Sequence, residues 1–465
     1  MPDFDLVVIG SGPGGYPAAI RAAQNGLRVA LIEEGDLGGV CLNCGCIPTK
    51  ALAESAARFH ALRDAASFGI RLEGFSVDYP AVVGRKDALV GKLRAGVGFL
   101  LQRNGVEVIR GCASFESANC LRVSMRGGGS GTVSARHVLV ATGSTPAVPS
   151  FLPSAPNVLD SKSFLGLETL PSKLIVLGGG VTGCELACVA GRLGARVTLV
   201  ELCDDILPGV DPDARRLVRR SMEKLDIELL TGAPMEEIRS DGKTVSGRVA
   251  GRGITGETLL YAIGRVPRTT GLNLPAAGVR TDATGAILAS PCGETDAPGV
   301  FAAGDVVSGS RLLAHAATAQ GFAAVARICG TSVAPSETPP PSVIFTMPEI
   351  GQTGFSEAEA EAAGYTVRTG VFPFAASGKA LVEGEPEGFV KWIGDAETGG
   401  ILGAVATGAH ASELIAEAAL AVEAGLTAGD VAGTVHAHPT LSETWREAAD
   451  AFAGRCVNLP PQRPL

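Results

Sequence analysis

Three cysteines crowd the stretch Gly38-Gly39-Val40-Cys41-Leu42-Asn43-Cys44-Gly45-Cys46-Ile47-Pro48-Thr49-Lys50, with Cys41 and Cys46 five residues apart. Two thiols this close in sequence could exchange electrons with a disulfide substrate if the fold brings them together. In a regular helix residues i and i+5 lie roughly 8.6 Å apart at about 1.5 Å rise per residue. That is beyond the roughly 7 Å reach of a disulfide. A bridge therefore requires Cys41 in an irregular turn, Gly45 to relax the backbone, and Pro48 in the first turn of a following helix. Such a bridge would be strained, which suits a catalytic disulfide better than a structural one. The eight cysteines elsewhere read as buried small hydrophobes. Cys44 stays open between an inert neighbour and a thiol that mispairs with Cys41 or Cys46.

A second constellation stands near the other end, His436-Ala437-His438-Pro439-Thr440-Leu441-Ser442-Glu443. Two histidines one residue apart suggest a metal, but no cysteine or carboxylate sits at ligand spacing beside them. Two ligands do not make a zinc site, so no metal is expected. Thiol chemistry needs a base instead. A dithiol with pKa near ~8.5 is only a few per cent thiolate at pH 7, and an imidazole near ~6.5, lifted by a carboxylate, is suited to take its proton.

These groups need a scaffold, and two glycine fingerprints supply it. Phe4 to Ile9 reads as a buried parallel strand, Gly10-Ser11-Gly12-Pro13-Gly14-Gly15 as a tight turn, and the Ala-rich run to Asn25 as a helix. Gly26 ends the helix, and Val29 to Ile32 forms a second strand closing on Glu33, 23 positions after Gly10. This is G-x-G-x-x-G in its strand–turn–helix context: the glycines admit a pyrophosphate to the helix N-terminus and the carboxylate bonds a ribose hydroxyl. The unit recurs from Leu174 through Gly178-Gly179-Gly180-Val181-Thr182-Gly183 and a helix from Cys184 to Leu193. Gly10, Gly15, Gly26, Val29 and Glu33 map onto Gly178, Gly183, Gly194, Val197 and Glu201 at one offset of 168 residues. Two dinucleotides are expected. The cysteine stretch follows the first site directly, which makes the first the redox cofactor and the second a nicotinamide. Glu201 would repel a 2′-phosphate by roughly 4 kcal/mol at about 4 Å and an effective dielectric of about 20. Leu202-Cys203-Asp204-Asp205 offers no Arg to relieve it, so NAD is expected over NADP.

At 465 residues, 46% apolar, 5% aromatic and with 62 glycines, the chain suits a glycine-punctuated α/β protein of about three domains. A net charge of −9 with no basic run argues against nucleic acid. The first strand begins almost at Met1, leaving no room for a leader, and no apolar run suits a membrane span. A reducing cytoplasm is the expected compartment. Four prolines, Pro146, Pro149, Pro153 and Pro156, suit a crossover linker, and Thr338-Pro339-Pro340-Pro341 a domain boundary. Beyond it, Val343 to Thr346, Phe389 to Ile393 and Ile401 to Val405 read as strands and Ser412 to Ala424 as a helix.

The cysteine stretch, with both fingerprints, resembles the redox-active motif of the FAD-dependent pyridine nucleotide–disulfide oxidoreductases, and within them the members that oxidise dihydrolipoyl groups. Thr142-Gly143-Ser144, Tyr261-Ala262-Ile263-Gly264-Arg265-Val266-Pro267 and Val300-Phe301-Ala302-Ala303-Gly304-Asp305-Val306 resemble further segments of that family in order. Arg268 stands where the family usually carries Asn, and no contact is placed there. The resemblance implies a redox disulfide between Cys41, the interchange sulfur, and Cys46. It makes His438 the acid/base, oriented by Glu443, with His436 structural. It implies FAD at Gly10, Gly12, Gly14, Gly15, Glu33, Lys50, Ala113, Thr142, Gly143, Ser144, Asp305, Leu313, Ala314 and His315. NAD would lie at Gly178, Gly180, Val181, Thr182, Gly183, Glu185, Glu201 and Gly264. His315, beside a flavin motif, suits packing or hydrogen bonding better than a base's role. Lys50 and Glu185 match an ion pair of the family, the alternative being two ordinary surface charges. Val181 replaces a bulkier residue of some relatives, which could alter inhibition by NADH. Trp445 suits helix packing better than a substrate channel.

The implied fold is α/β: two Rossmann-like dinucleotide-binding domains, for FAD and NAD, plus a C-terminal α+β dimerisation domain. The boundaries are expected at 1–148 and 268–337 (FAD), 149–267 (NAD) and 338–465 (dimerisation). The implied function is oxidation of protein-bound dihydrolipoamide with reduction of NAD⁺, by a homodimer whose active site spans the interface. Its partners would be lipoyl proteins of 2-oxo acid dehydrogenase or glycine cleavage systems. The alternatives are a sister FAD reductase of another disulfide and a non-catalytic flavoprotein redox subunit. Against sister enzymes stand Glu201, which disfavours NADPH, and a tail around Cys456 without a vicinal cysteine pair.

Overall fold

The computed structural model of the chain describes residues 2–331 and 338–460; the expected boundary at 337 and the last five residues lie outside them. The described chain divides into two compact units. One comprises the chain to Pro171, Arg239–Lys243 and the stretch from Leu260 to the undescribed segment. The other comprises Ser172–Ile238, Thr244–Leu259 and the C-terminal part.

The first unit is built on a parallel sheet of strands Glu107–Ser117, Val29–Glu33, Phe4–Ile9, Ser130–Val140 and Val300–Ala302, in that lateral order. Leu6, Val7, Val8, Leu31, Val138 and Leu139 are inaccessible to solvent. That is why these strands read as continuous apolar runs rather than alternating ones. Helix Tyr16–Gln24 follows the first glycine turn and packs Ala18, Ala19 and Ala22 on the sheet; alanine lets it lie close. Strand Cys120–Met125 joins Glu107–Ser117 and Ser130–Val140 in an antiparallel ribbon.

In the second unit the repeat is realised again. Strands Lys173–Leu177, Arg196–Val200 and Glu228–Leu230 run parallel, with helix Val181–Arg192 after the second glycine turn. Its C-terminal part is an antiparallel sheet in the order Ser342–Ile344, Glu349–Gly354, Ile401–Gly408, Phe389–Asp395, Val367–Pro373. Helices Ala411–Glu423 and Glu443–Phe452 share a core with it that includes Trp392, Ile415, Trp445 and Phe452. Trp445 is fully buried 4.4 Å from Trp392 and donates its indole N–H to the Leu414 carbonyl at 3.0 Å. Packing, not channel lining, is its role.

Candidate functional site

Cys41 and Cys46 are joined as a disulfide with Cα atoms 4.7 Å apart. The expected irregular turn at Cys41 is not what achieves this. Cys41 lies inside a short helix, Gly39–Cys44, and Cys46 opens the next, Cys46–Ala61, with Pro48 in its first turn. The break falls at Gly45 (φ −142°, ψ −111°), where a Cβ would crowd the Val40 carbonyl at 3.0 Å. One non-helical residue shortens the i to i+5 span that a continuous helix would hold open.

The disulfide helix is anchored directly on the first glycine turn. Gly38 N–H donates to the Ser11 carbonyl and hydroxyl, both at 3.1 Å. Gly39 (φ 64°) comes so near Gly12 that a Cβ would stand 2.6 Å from the Gly12 Cα. Asn43 donates to the carbonyls of Leu37 and Gly39 at 2.9 Å, and Arg94 holds its side-chain oxygen at 2.9 Å. Cys44 is half-buried, and burial pushes its thiol above the usual value.

The last glycine of each fingerprint does a definable job. A Cβ on Gly15 would stand 1.9 Å from the Gly10 carbonyl oxygen, and one on Gly183 1.9 Å from that of Gly178. Glu33 Oε2 accepts from the Ser11 N–H at 2.8 Å and hydroxyl at 2.6 Å, and Oε1 accepts from Gly35 N–H at 2.8 Å. Glu201 repeats this with Gly179 N–H at 2.5 Å and Cys203 N–H at 2.8 Å. Gly143, Gly180 and Gly264 face open space, and Val181 is 44% exposed beside Gly180. Thr182 follows in the same first turn.

Of the remaining candidates, Ser144 is buried and donates to Asp305 at 2.6 Å. Thr142 donates to the Arg268 carbonyl at 2.7 Å. Leu313 precedes helix Ala314–Ile328, with His315 exposed in its first turn. Lys50 is half-buried in the second cysteine helix. Ala113 turns its side chain into the core of the first unit. Glu185 is not a surface charge: it is buried, and its carboxylate accepts from Phe345 N–H at 2.8 Å.

In the second unit, His438 is 79% exposed with Nδ1 2.9 Å from Glu443 Oε1, and Glu443 Oε2 accepts from Thr440 N–H at 2.9 Å. Burial pushes the Glu443 carboxyl up, but the Thr440 N–H and His438 outweigh it and leave it below the ordinary value. His436 is turned inward, 7% exposed, between Glu417 at 2.7 Å and the Thr434 carbonyl at 3.0 Å. That is an anchoring role. Among the described residues no group of three or more His, Cys, Asp or Glu is placed to hold a metal.

Sequence reading missed three contacts. Arg265 grips Ser144 through two hydrogen bonds at 2.7 Å. Arg268, where no contact was expected, pairs with Glu34, next to Glu33. Lys391 is buried among Asp211, Asp213 and Glu357. An Arg directly after a glycine at a strand start hinted at the first; nothing in the sequence marks the others.

The family model described as pyridine nucleotide-disulphide oxidoreductase matches residues 4–321, and the model of that family's dimerisation domain matches 340–449. The chain belongs to this family. A dihydrolipoyl dehydrogenase of Thermus scotoductus is 43% identical over 99% of both chains. Among solved structures, LpdA from Mycobacterium tuberculosis is similar at a TM-score of 0.90 and 30% identity, covering 96% of this chain and 98% of its own. The HOCl-induced flavoprotein disulfide reductase RclA from Escherichia coli, as its Cu(II) complex, is similar at 0.87 and 28%, covering 97% and 99%. The α/β fold with its C-terminal dimerisation domain is thus that of the pyridine nucleotide-disulphide oxidoreductases. No described helix is long and apolar enough to cross a membrane.

Proposed function

We propose that the chain oxidises dihydrolipoyl groups on carrier proteins and passes the electrons through FAD to NAD⁺. The observation that carries this reading is the Cys41–Cys46 disulfide, held on the first glycine turn by the Gly39–Gly12 approach. The 43% identity to a dihydrolipoyl dehydrogenase over the full chain supports the substrate.

Both dinucleotides fit. Cβ atoms at Gly10, Gly15 or Gly183 would collide with backbone, whereas Gly143, Gly180 and Gly264 leave open space. Gly10, Gly12, Gly14 and Gly15 would hold the FAD pyrophosphate, with Glu33 on its ribose. Asp305, Ser144 and the start of helix Ala314–Ile328 would hold the remainder. Gly178, Gly180, Thr182, Gly183 and Glu201 would do the same for NAD. Bound there, FAD would supply an acceptor for the electron pair of a dithiol, which NAD⁺ would carry away as hydride.

His438, braced by Glu443, takes the proton from one thiol of the substrate. The thiolate attacks the Cys41 sulfur, and a mixed disulfide forms as the Cys41–Cys46 bond breaks. The second substrate thiol gives up its proton to solvent and displaces Cys41, which leaves with the proton held on His438. The substrate leaves as a cyclic disulfide, and Cys41 and Cys46 are left as the reduced pair. In this reading His438 serves the disulfide of a second copy of the chain, so the working enzyme is a homodimer. Segments 1–148 and 268–337 form its FAD domain, 149–267 its NAD domain and 338–465 its dimerisation domain. Lipoyl proteins of 2-oxo acid dehydrogenase or glycine cleavage systems are the partners, in the cytoplasm.

Steady-state reduction of NAD⁺ by dihydrolipoamide, with NADP⁺ in parallel, tests the assignment. Rapid NADH formation with little NADPH supports it. A yellow protein that turns over neither coenzyme with dihydrolipoamide overturns the substrate.

A further inference from the structure

Ser144 carries a hydrogen-bond chain whose direction is fixed by chemistry. Its hydroxyl lies 2.7 Å from Arg265 Nε and 2.6 Å from Asp305 Oδ2. A guanidinium can only donate, so the oxygen accepts from Arg265 and its one hydrogen goes to Asp305. Arg265 Nη2 donates to the Ser144 carbonyl at 2.7 Å as well, so the planar fork grips one residue at two points. Pairing of Ser144–Pro146 with Arg265–Pro267, in register Arg265 to Pro146, sets the distance. Ser144 is only 4% exposed, so water does not compete for its hydroxyl. Asp305 Oδ2, 161 residues from Ser144 in sequence, is thereby held by a hydroxyl that Arg265, 121 residues from Ser144, fixes in turn.

We infer that Arg265 is a positioning residue for FAD, acting through Ser144 to fix the Asp305 carboxylate. The inference rests on Asp305 being an FAD ligand. It changes the meaning of two motifs: Ser144 aligns the ligand residue, and Arg265 belongs to the flavin half of the chemistry although it directly follows Gly264 of the nicotinamide set.

The test is FAD binding to deflavinated full-length protein, followed by quenching of flavin fluorescence, together with melting of the FAD-free protein. Ser144→Ala, Arg265→Lys and Asp305→Asn are compared with the parent. Ser144→Ala and Arg265→Lys are each expected to weaken FAD by about tenfold, the size of one hydrogen bond to a charged group. The double variant should be no weaker than the worse single one, because both break the same chain. Melting of the FAD-free protein should fall only slightly in Ser144→Ala, which keeps the Arg265 bond to the Ser144 carbonyl, and by less than the loss of FAD affinity requires. If Asp305→Asn weakens FAD while Ser144→Ala and Arg265→Lys bind like the parent, the relay is overturned and the ligand role of Asp305 stands. If Asp305→Asn also binds like the parent, the ligand role fails and the relay with it. Losses in Ser144→Ala and Arg265→Lys that simply add in the double variant overturn the shared chain.

Discussion

Gly39 brings the disulfide helix against Gly12 so tightly that a Cβ at Gly39 would stand 2.6 Å from the Gly12 Cα. Gly39 also has φ 64°, in the left-handed region that favours glycine. Gly39→Ala therefore meets both a clash and a disfavoured backbone, at a combined cost of about 1–3 kcal/mol. The strain is relieved by moving the cysteine helix off the glycine turn. The variant is expected to be purified with less flavin than the parent, read by its visible flavin absorbance, and to lose turnover out of proportion to its melting temperature.

Cys44, between the bridged cysteines, is half-buried and its thiol is pushed above the ordinary value by that burial. A thiol that stays protonated is a poor nucleophile. Cys44→Ser should keep dihydrolipoamide turnover within about twofold, a change worth less than ~0.5 kcal/mol, whereas Cys46→Ser should abolish it. Alkylation of the reduced enzyme at pH 7, mapped by mass spectrometry, should label Cys41 well before Cys44. Faster labelling at Cys44 would end the inert assignment.

Glu443 lies below the ordinary carboxylate value, so the sign of its pH effect is determined. A depressed carboxyl contributes fully above its unfolded value of about 4.3, and the contribution is lost as pH falls through the lower folded value. From pH 5 upward Glu443 is ionised and braces His438 unchanged. His438→Gln should cost on the order of 10²–10⁴ in turnover. Glu443→Gln should cost less than His438→Gln, because the imidazole stays and only its brace is removed. A Glu443→Gln variant as slow as His438→Gln would give the carboxylate a part in the chemistry beyond bracing.

Glu201 is pinned by the N–H groups of Gly179 and Cys203, so its carboxylate cannot swing away from a ribose at the second fingerprint. A repulsion of roughly 4 kcal/mol corresponds to a preference for NAD⁺ over NADP⁺ of about 10³. Glu201→Gln keeps the shape and removes the charge. It should narrow the ratio of the two kcat/KM values by at least about tenfold, mostly through better use of NADP⁺. An unchanged ratio would place the discrimination elsewhere.

The repeat was the most legible part of the molecule, because glycine at a fixed spacing is dictated by backbone contact. The 1.9 Å collisions at Gly15 and Gly183 are the same collision 168 residues apart. The disulfide pairing was legible through its motif, but the route was not: the kink fell at Gly45, with Cys41 inside a helix. Periodicity cannot show which residue of a short helical stretch gives way. The C-terminal strands Glu349–Gly354 and Val367–Pro373 were missed. Both are interrupted by glycines, Gly351 and Gly370, that make room for Ile415 and Phe452 of the packed helices. Those glycines read as breakers in sequence and are packing sites in the fold.

Lys391 is the least foreseeable of the buried groups: its side chain is 5% exposed on strand Phe389–Asp395, one in from the edge of the sheet, between Val390 and Trp392. Its ammonium meets Asp211 at 2.8 Å, Glu357 at 2.9 Å and Asp213 at 3.2 Å. Asp211 also caps helix Pro212–Lys224, so Lys391 ties the helix N-terminus to the C-terminal sheet within the second unit. Burial pulls the ammonium down, but the bonds to Asp211 and Glu357 prevail and raise it above the ordinary lysine value. A raised lysine contributes fully below its unfolded value of about 10.4 and loses the contribution as pH climbs through the folded value. Lys391→Met leaves Asp211, itself 6% exposed, without its counter-ion, at a cost of about 3–5 kcal/mol. The destabilisation, measured by guanidinium unfolding, should be the same at pH 7 and pH 9 and shrink only above about pH 10.5. A difference already closing by pH 9 would show that the ammonium gives up its proton earlier than three carboxylates allow.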